Sequence, residues 1–543
     1  MSHAANGRSS PRGPGDRRKL LWILVALVAA TAVALVFSLW PDGEDGDRGG
    51  GEASGADTAA AGTPTPERSY ALSERPRVIP AVSGFEAARG PGWKPGKDAK
   101  VVAKDDALDD EAALLASELK LDRATDGEAG AGDVELALDE GVKGGSEAYT
   151  LKTEGGKVRI TGSRDTGVFY GTRTLKQLVR TGGGVPEGEV RDAPAKPRRG
   201  FMLDIARKNF TADWIEQRIR EMGDLKLNEF GLHFSDDQAF RIASDSHPEV
   251  VSEPHLTKAQ VRRIIKLAAS RHITVVPEID SPGHLGAVLK AHPQLQLRSG
   301  SGSPVQGTVD IANPAAGKLV DELLKEYAGL FKGSAWHLGA DEYLALMSAD
   351  PEGSYPGLAA AARKKYGANG RIQDLATGWL NDRAKAVRGD GRALRAWNDG
   401  FFTGGAVRPA KDLQVAYWTG KESGKREPAE FLAEGRKVLN YNDEYLYYVL
   451  GQPNQFVYPT GERIYKEWTP RVIRGTGAVP AKYDSQILGG SFAVWCDLAD
   501  SQTQDQVAAG IRLPLAAVAQ KLWDAGEPPL SWGEFKALAA KAD

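Results

Sequence analysis

From residue 199 onward, short apolar runs alternate with stretches whose apolar positions recur every three or four residues. The runs fall at 201–207, 229–234, 273–280, 334–343, 393–397, 413–418, 437–441 and 487–495. Between them, Ile215, Ile219 and Met222 mark one helical stripe, and Val261, Ile264, Ile265 and Ala268 mark another. Thr257 and Gln260 have capping-box spacing at the start of the second. Leu319 to Leu330 reads as a further helix, and Val507, Ile511, Leu515, Val518 and Leu522 mark the closing one. Eight such strand–helix units over about 340 residues predict a (β/α)8 barrel. A doubly wound open sheet is the alternative. It is weakened because no Gly-rich phosphate turn follows the first strand.

Residues 71–193 show a different texture and predict a small α/β domain ahead of the barrel at 194–543. Val134 to Leu138 alternates like a strand, and 149–152 and 157–161 form a hairpin pair around Gly155-Gly156. A short helical pattern spans 113–121. Residues 167–180 read as an amphipathic helix with Val168, Tyr170, Leu175, Leu178 and Val179 on its apolar side. No chemistry is evident in this part.

Upstream, residues 20–40 form an apolar run without a charge, just long enough for a bilayer core. Arg8, Arg12, Arg17, Arg18 and Lys19 precede it, and Asp42, Glu44, Asp45 and Asp47 follow it. This asymmetry predicts an N-terminal transmembrane signal-anchor with residues 1–19 cytoplasmic and the bulk of the chain outside the cytoplasm. A cleaved signal peptide, giving a secreted protein, is the rival reading; Ser38-Leu39-Trp40-Pro41 is a poor cleavage site. Residues 41–70, rich in Gly, Ala, Asp, Thr and Pro, read as a flexible linker.

Composition narrows the chemistry. The net charge of −3 leaves no basic excess for phosphates and argues against a nucleic-acid partner. One cysteine, Cys496, excludes an intrachain disulfide and a thiolate metal site. Twelve tryptophans are more than the core needs, and stacking on sugar faces is one use for the surplus.

A barrel carries its active site at the C-terminal ends of its strands. The strands here end in Arg207, Asp236, His284, Asp341 with Glu342, Trp397, Trp418, Tyr441 with Asp443, and Trp495 with Asp497. Any one of these has an ordinary structural explanation; their clustering at one rim does not. Aromatic planes beside an arginine and several carboxylates suit a carbohydrate. A cation on His233, His284, His337, Asp236 and Asp341 is the competing chemistry, but no H-x-H or H-E-x-x-H pairing is present. Neither a metal nor a cofactor is expected.

Residues 334–343, S-A-W-H-L-G-A-D-E-Y, are central. In strand geometry Asp341 and Glu342 point to opposite faces, so both reach one substrate only if the chain leaves strand geometry at the pair. Adjacent acids repel, which favours keeping one of them protonated near neutral pH, as an acid/base catalyst requires.

Four motifs, Arg199-Gly200-Phe201-Met202-Leu203-Asp204-Ile205-Ala206-Arg207, His233-Phe234-Ser235-Asp236-Asp237-Gln238, Pro277-Glu278-Ile279-Asp280-Ser281-Pro282-Gly283-His284 and His337-Leu338-Gly339-Ala340-Asp341-Glu342, resemble in order and spacing the family 20 glycoside hydrolases. These are the β-N-acetylhexosaminidases, and the resemblance runs from about residue 71 to 525, since the small domain also resembles theirs. It implies retaining exo-hydrolysis of terminal β-linked GlcNAc or GalNAc, in which the substrate's own 2-acetamido oxygen attacks the anomeric carbon to give an oxazolinium ion. It implies Glu342 as general acid/base and Asp341 as partner of the acetamido N–H. Tyr441 would donate to the acetamido oxygen, and Asp236 and His284 would form a relay to Glu342. Arg207 and Asp443 would bind hydroxyls, with Trp397, Trp418 and Trp495 walling the pocket.

Two positions depart from the family pattern. Ala340 stands where a second glycine is usual, and Asp497 where a glutamate usually reads the 4- and 6-hydroxyls. The shorter Asp497 leaves room for a different sugar or for lacto-N-biosidase-like release of a disaccharide. A non-catalytic glycan-binding barrel is the alternative of another class.

Overall fold

The computed structural model describes residues 69–124, 127–389, 391–421 and 426–542. The expected membrane span at 20–40 and its basic tail lie outside these residues, as does nearly all of the expected linker. Among the described residues no helix is long and apolar enough to cross a membrane. Residues 68–543 form one unit.

That unit holds two sheets that matter for the site. The first has seven strands: β1 (Gly84–Ala87), β2 (Lys100–Ala103), β3 (Asp122–Ala124), β4 (Val134–Leu138), β5 (Tyr149–Glu154), β6 (Lys157–Gly162) and β7 (Gly188–Asp192), in the order β1-β7-β5-β6-β4-β2-β3. β5 and β6 pair antiparallel from Tyr149↔Gly162 to Glu154↔Lys157, the hairpin that Gly155-Gly156 predicts. The helix Asp165–Gly182 lays Val168, Phe169, Leu175 and Leu178 into this sheet's core. β1, β2, β3 and β7 are not among the expected strands. They are three to five residues long and carry exposed or half-exposed polar positions, too few apolar residues to register as a period.

The second sheet is the barrel. β8 (Arg198–Asp204), β9 (Glu229–His233), β10 (Thr274–Glu278), β13 (Ala335–His337), β14 (Ala393–Trp397), β15 (Gln414–Tyr417), β16 (Val438–Asn440) and β18 (Ile487–Trp495) pair in parallel, and β18 closes the ring by pairing with both β16 and β8. The small hairpin β11 (Gln296–Arg298) and β12 (Pro304–Val309) lies in the segment after β10. The open-sheet alternative is therefore excluded. Seven of the expected apolar runs contain one barrel strand each and the first, 201–207, overlaps β8, which starts three residues earlier; a strand buried on both faces needs a continuous apolar run rather than an alternating one. The Thr257 capping box is present: Thr257 Oγ1 accepts from Gln260 N at 3.2 Å, and Gln260 Oε1 accepts from Thr257 N at 2.8 Å.

One additional strand shapes the rim. β17 (Tyr447–Val449) pairs with the second half of β18, Tyr447 opposite Ala493 and Val449 opposite Trp495. The first half of β18 serves β16. A strand of nine residues thus holds two partners in succession, and the upper one brings Tyr447 to the mouth of the barrel.

The small domain is joined to the barrel through buried charge as well as through apolar packing, with Trp523 sitting in the small domain's core. The Arg199 guanidinium lies over the rings of Tyr170 and Trp523 and donates to Glu147 Oε1 at 2.7 Å. Lys226 sits 4.3 Å from the Trp523 ring centre and 3.2 Å from Asp192. Buried cations held by both a carboxylate and aromatic faces fix orientation between layers.

Candidate active site

The strand β13 stops at His337, and the next residues abandon extended geometry. Gly339, Ala340 and Glu342 all take positive φ, +66°, +81° and +44°. The chain thus turns at the acid pair, and Asp341 and Glu342 both reach one cleft. Gly339 is dictated by its neighbour, since a Cβ there would lie 1.7 Å from Asp280 Oδ1. The same Asp280 oxygen accepts from Ala340 N at 2.8 Å, which pins the turn. The Ala340 methyl is accommodated because Gly400 faces it; a Cβ on Gly400 would lie 2.8 Å from that methyl.

The cleft has a volume of 720 Å³ and opens at the C-terminal end of the barrel strands. Arg207, His284, Asp341, Glu342, Trp418, Asp443, Trp495 and Asp497, all expected site residues, line it. Asp236 lies just behind this surface, buried, and is reached through His284.

His284 is the pivot. Its Nδ1 stands 3.2 Å from Asp236 Oδ1, and its Nε2 stands 3.4 Å from Glu342 Oε2 and 3.7 Å from Asp341 Oδ2. Burial disfavours its charge, but Asp236 and Asp341 outweigh burial and push its proton affinity well up. The His284 imidazole, 3.4 Å from Glu342 Oε2, in turn holds the Glu342 carboxyl below its usual range, against burial. Asp341 behaves oppositely. Burial and the nearby Asp280 carboxyl raise it well above the ordinary range. Of the acid pair it is therefore Asp341 that is raised, by burial first and by Asp280 second, and not by Glu342.

Behind this surface runs an alternating row of imidazoles and carboxylates. Asp236 Oδ2 lies 2.8 Å from His233 Nε2, His233 Nδ1 lies 2.9 Å from Glu278 Oε2, and Glu278 Oε1 lies 2.9 Å from His337 Nδ1. The Trp397 indole donates to Glu278 Oε1 at 2.8 Å. Burial opposes charge throughout, yet His233 is pushed up to about 10 by Glu278 and Asp236, and Glu278 is pulled down by His337 and His233. A buried cation flanked by two anions satisfies the rule that buried charges are paired.

Arg207 is held by Asp204 Oδ2 at 3.0 Å and Asp236 Oδ2 at 2.8 Å, with its guanidinium 5.5 Å from the Trp495 ring centre. Asp497, raised by burial and opposed by Arg207, faces the same corner. Asp443 Oδ2 accepts from Lys421 Nζ at 2.7 Å. Asp399 receives the Glu342 backbone N–H at 2.9 Å and the Trp418 indole at 3.1 Å.

Two expected residues lie elsewhere. Tyr441 is buried in the barrel interior, its hydroxyl near Ser491 and Arg395, and it is absent from the cleft surface. The reason is register: Tyr441 continues the inward-facing parity of Leu439 on β16 and packs edge-on under Trp397 at 4.9 Å. Trp397 is itself 1% exposed and forms the layer beneath the cleft rather than a wall. The tyrosine on the cleft is Tyr447 from β17, stacked on Trp418 at 5.8 Å and 6° and raised by burial and by the charge of Asp341. The sequence held a signal for it: Tyr445-Leu446-Tyr447-Tyr448-Val449 is strand-like, but it follows β16 too closely to count as another unit. Asp280, Asp399 and Glu278 are further residues around the site to which the sequence reading gives no role, and His233, read there only as a possible cation ligand, is instead a member of the buried row. Apart from the local His233–Asp236 contact, their partners come from other strands, so no local spacing marks them.

The family model described as "Glycosyl hydrolase family 20, catalytic domain" matches residues 197–526, and "Glycosyl hydrolase family 20, domain 2" matches residues 75–193. A lacto-N-biosidase of Bifidobacterium bifidum is 32% identical over 499 residues, covering 89% of this chain and 43% of that one. A beta-hexosaminidase of Vibrio furnissii is 27% identical over 417 residues, covering 67% and 62%. The chain thus spans less than two thirds of the length of either. Among solved structures, a GH20 exo beta-N-acetylglucosaminidase from Vibrio harveyi in complex with N-acetylglucosamine superposes with TM-score 0.71 at 21% identity, covering 88% of this chain and 79% of that one. A GH20 beta-N-acetylhexosaminidase from Streptomyces coelicolor superposes with TM-score 0.68 at 24% identity, covering 87% and 96%. With the catalytic-domain model spanning most of the barrel and a relative above 30% identity along nearly the whole chain, this protein belongs to glycosyl hydrolase family 20.

Proposed function

We propose that the chain is a retaining exo-β-N-acetylhexosaminidase that works through the acetamido group of its own substrate. The observation that carries this reading is His284, which bridges Asp236 and Glu342 at 3.2 and 3.4 Å beside Asp341. In this reading the proton destined for the leaving oxygen rests on His284 Nε2. It passes to Glu342 Oε2 and from there to the glycosidic oxygen as the C–O bond breaks. Asp341, once ionised, accepts the acetamido N–H and offsets the positive charge of the oxazolinium ion. Tyr447, rather than Tyr441, donates to the acetamido oxygen. Glu342 then takes a proton from the water that opens the ring. Arg207 and Asp443 bind sugar hydroxyls, and Trp418 and Trp495 supply apolar faces.

A second reading, release of a lacto-N-biose-type disaccharide, is favoured by one feature: Asp497 leaves space beside Arg207 that a glutamate would fill. The lacto-N-biosidase among the relatives supports it. On sequence grounds the apolar run 20–40 supports a single-pass anchor with the barrel outside the cytoplasm, acting on extracytoplasmic glycans.

The test is turnover of aryl β-GlcNAc, aryl β-GalNAc and aryl β-lacto-N-bioside by the folded protein. Hydrolysis of either monosaccharide glycoside is the expected result. Hydrolysis of the disaccharide glycoside alone selects the second reading, and no turnover of any of them moves the chain to a binding role.

A further inference from the structure

A cluster remote from the cleft has the chemistry of a metal site. His247 caps the short 3-10 segment Pro248–Val250 and Glu249 lies within it, in the connection between β9 and the helix Lys258–Ala269. His292 caps the end of the helix Gly286–Ala291, in the connection between β10 and the helix Pro314–Leu330. Glu249 Oε1 lies 3.0 Å from His247 Nδ1 and 2.9 Å from His292 Nε2, and one ligand atom from each residue lies within 4.8 Å of the others. Tetrahedral zinc with bonds of about 2.0–2.2 Å sets its ligands about 3.3 Å apart. Little movement separates these atoms from that spacing.

The other nitrogen of His247 supplies the second observation. Its Nε2 lies 3.2 Å from Glu322 Oε2 on the helix Pro314–Leu330. Carboxylates have no proton to give, so without a metal both contacts of His247 need a doubly protonated ring. With a metal on Nδ1, Nε2–H donates to Glu322, the outer carboxylate that orients a metal-bound imidazole. The loop carrying His247 is already fixed: Glu326 accepts from Ser244 Oγ and from Asp245 N, each at 2.7 Å, and His247 N donates to Ser244 Oγ at 3.0 Å. Two imidazoles and one carboxylate suit zinc better than calcium or magnesium, which prefer oxygen-rich sites.

We propose that His247, Glu249 and His292 bind one zinc ion, with Glu322 as the carboxylate behind His247. The ion fastens together the two connections that carry Asp236 and His284. Its role is structural; no step of the proposed hydrolysis passes through it.

The full chain, stripped with chelator and desalted, is titrated with Zn2+ by calorimetry, with its thermal midpoint followed in parallel. One equivalent that raises the midpoint is expected, lost in His247→Ala and in His292→Ala. In Glu322→Gln, which leaves every ligand in place, affinity falls 10–100-fold. Far-UV circular dichroism checks that each variant is folded. A wild-type titration matched by all three variants overturns the site, as does Ca2+ binding there as tightly as Zn2+. Failure of the hydrolase reading leaves this result unaffected, because neither readout uses activity.

Discussion

The carboxyl groups of Asp280 and Asp341 lie within 4.8 Å of each other beside His284, close enough to compete for one proton. Burial raises both, Asp280 to about 7 and Asp341 well above its ordinary range. In the proposed mechanism Asp341 works as an anion, so activity falls as pH drops through the titration of this pair. Asp280→Asn removes the neighbouring negative charge and offers a donor instead. The acid limb of kcat/KM is expected to move down by about one pH unit. A limb that stays in place contradicts the coupling.

The same pair has a consequence for stability. A carboxyl raised on folding contributes fully only below the unfolded value near 3.9, and that contribution is lost as pH rises through the folded value. Asp341→Asn removes the loss. Its thermal midpoint at pH 7 is expected to rise by about 1–3 °C while turnover collapses. A lower midpoint with intact turnover reverses the account.

Tyr447 and Tyr441 separate cleanly. Tyr447→Phe removes a donor from the cleft and is expected to lower kcat about 100-fold. Tyr441→Phe removes a buried hydroxyl that faces Ser491 and is expected to cost about 1 kcal/mol of stability with kcat nearly unchanged. Steady-state kinetics and denaturant unfolding of both variants decide it; the opposite pattern restores Tyr441 to the site.

Glu278 bridges two imidazoles within the buried row. Glu278→Gln leaves His233 short of one anion and is expected to destabilise the fold by about 3–5 kcal/mol at pH 6. The sign follows from both partners. His233, raised to about 10, stabilises fully below its unfolded value and loses that contribution as pH rises through 10. Glu278, lowered on folding, stabilises above its unfolded value and loses it as pH falls. The wild type is therefore most favoured between about pH 4.5 and 6.5 by this network, and the variant's unfolding free energy should vary less with pH below and above that window.

Ala340 holds φ +81° with its methyl against Gly400. Ala340→Gly relieves a left-handed strain worth about 1–2 kcal/mol, so unfolding free energy is expected to rise by about 1 kcal/mol, net of the added chain entropy. A loss of stability shows that the methyl contact outweighs the strain.

The barrel was legible in the sequence because its strands are buried on both faces and separated by amphipathic helices, so each strand announces itself as an apolar run. The rim residues followed from the ends of those runs. What escaped was set by partners distant in the chain. Asp280 reads as an ordinary strand end until the turn at Gly339 brings Asp341 against it. Glu278 and His233 lie inside recognisable motifs, but their pairing exists only across the register of β9, β10 and β13. Tyr447 was missed because β17 exists only through the surplus length of β18. The family pattern read linearly points to Tyr441, whereas the tyrosine that lines the cleft is Tyr447.

The most direct test of the mechanism is kcat/KM for a series of aryl β-GlcNAc glycosides whose N-acetyl group carries zero to three fluorines. Each fluorine weakens the acetamido oxygen as a nucleophile. The account predicts a steady fall across the series, because that oxygen forms the bond to the anomeric carbon. A rate independent of fluorination contradicts it and requires a nucleophile from the protein or a direct attack by water.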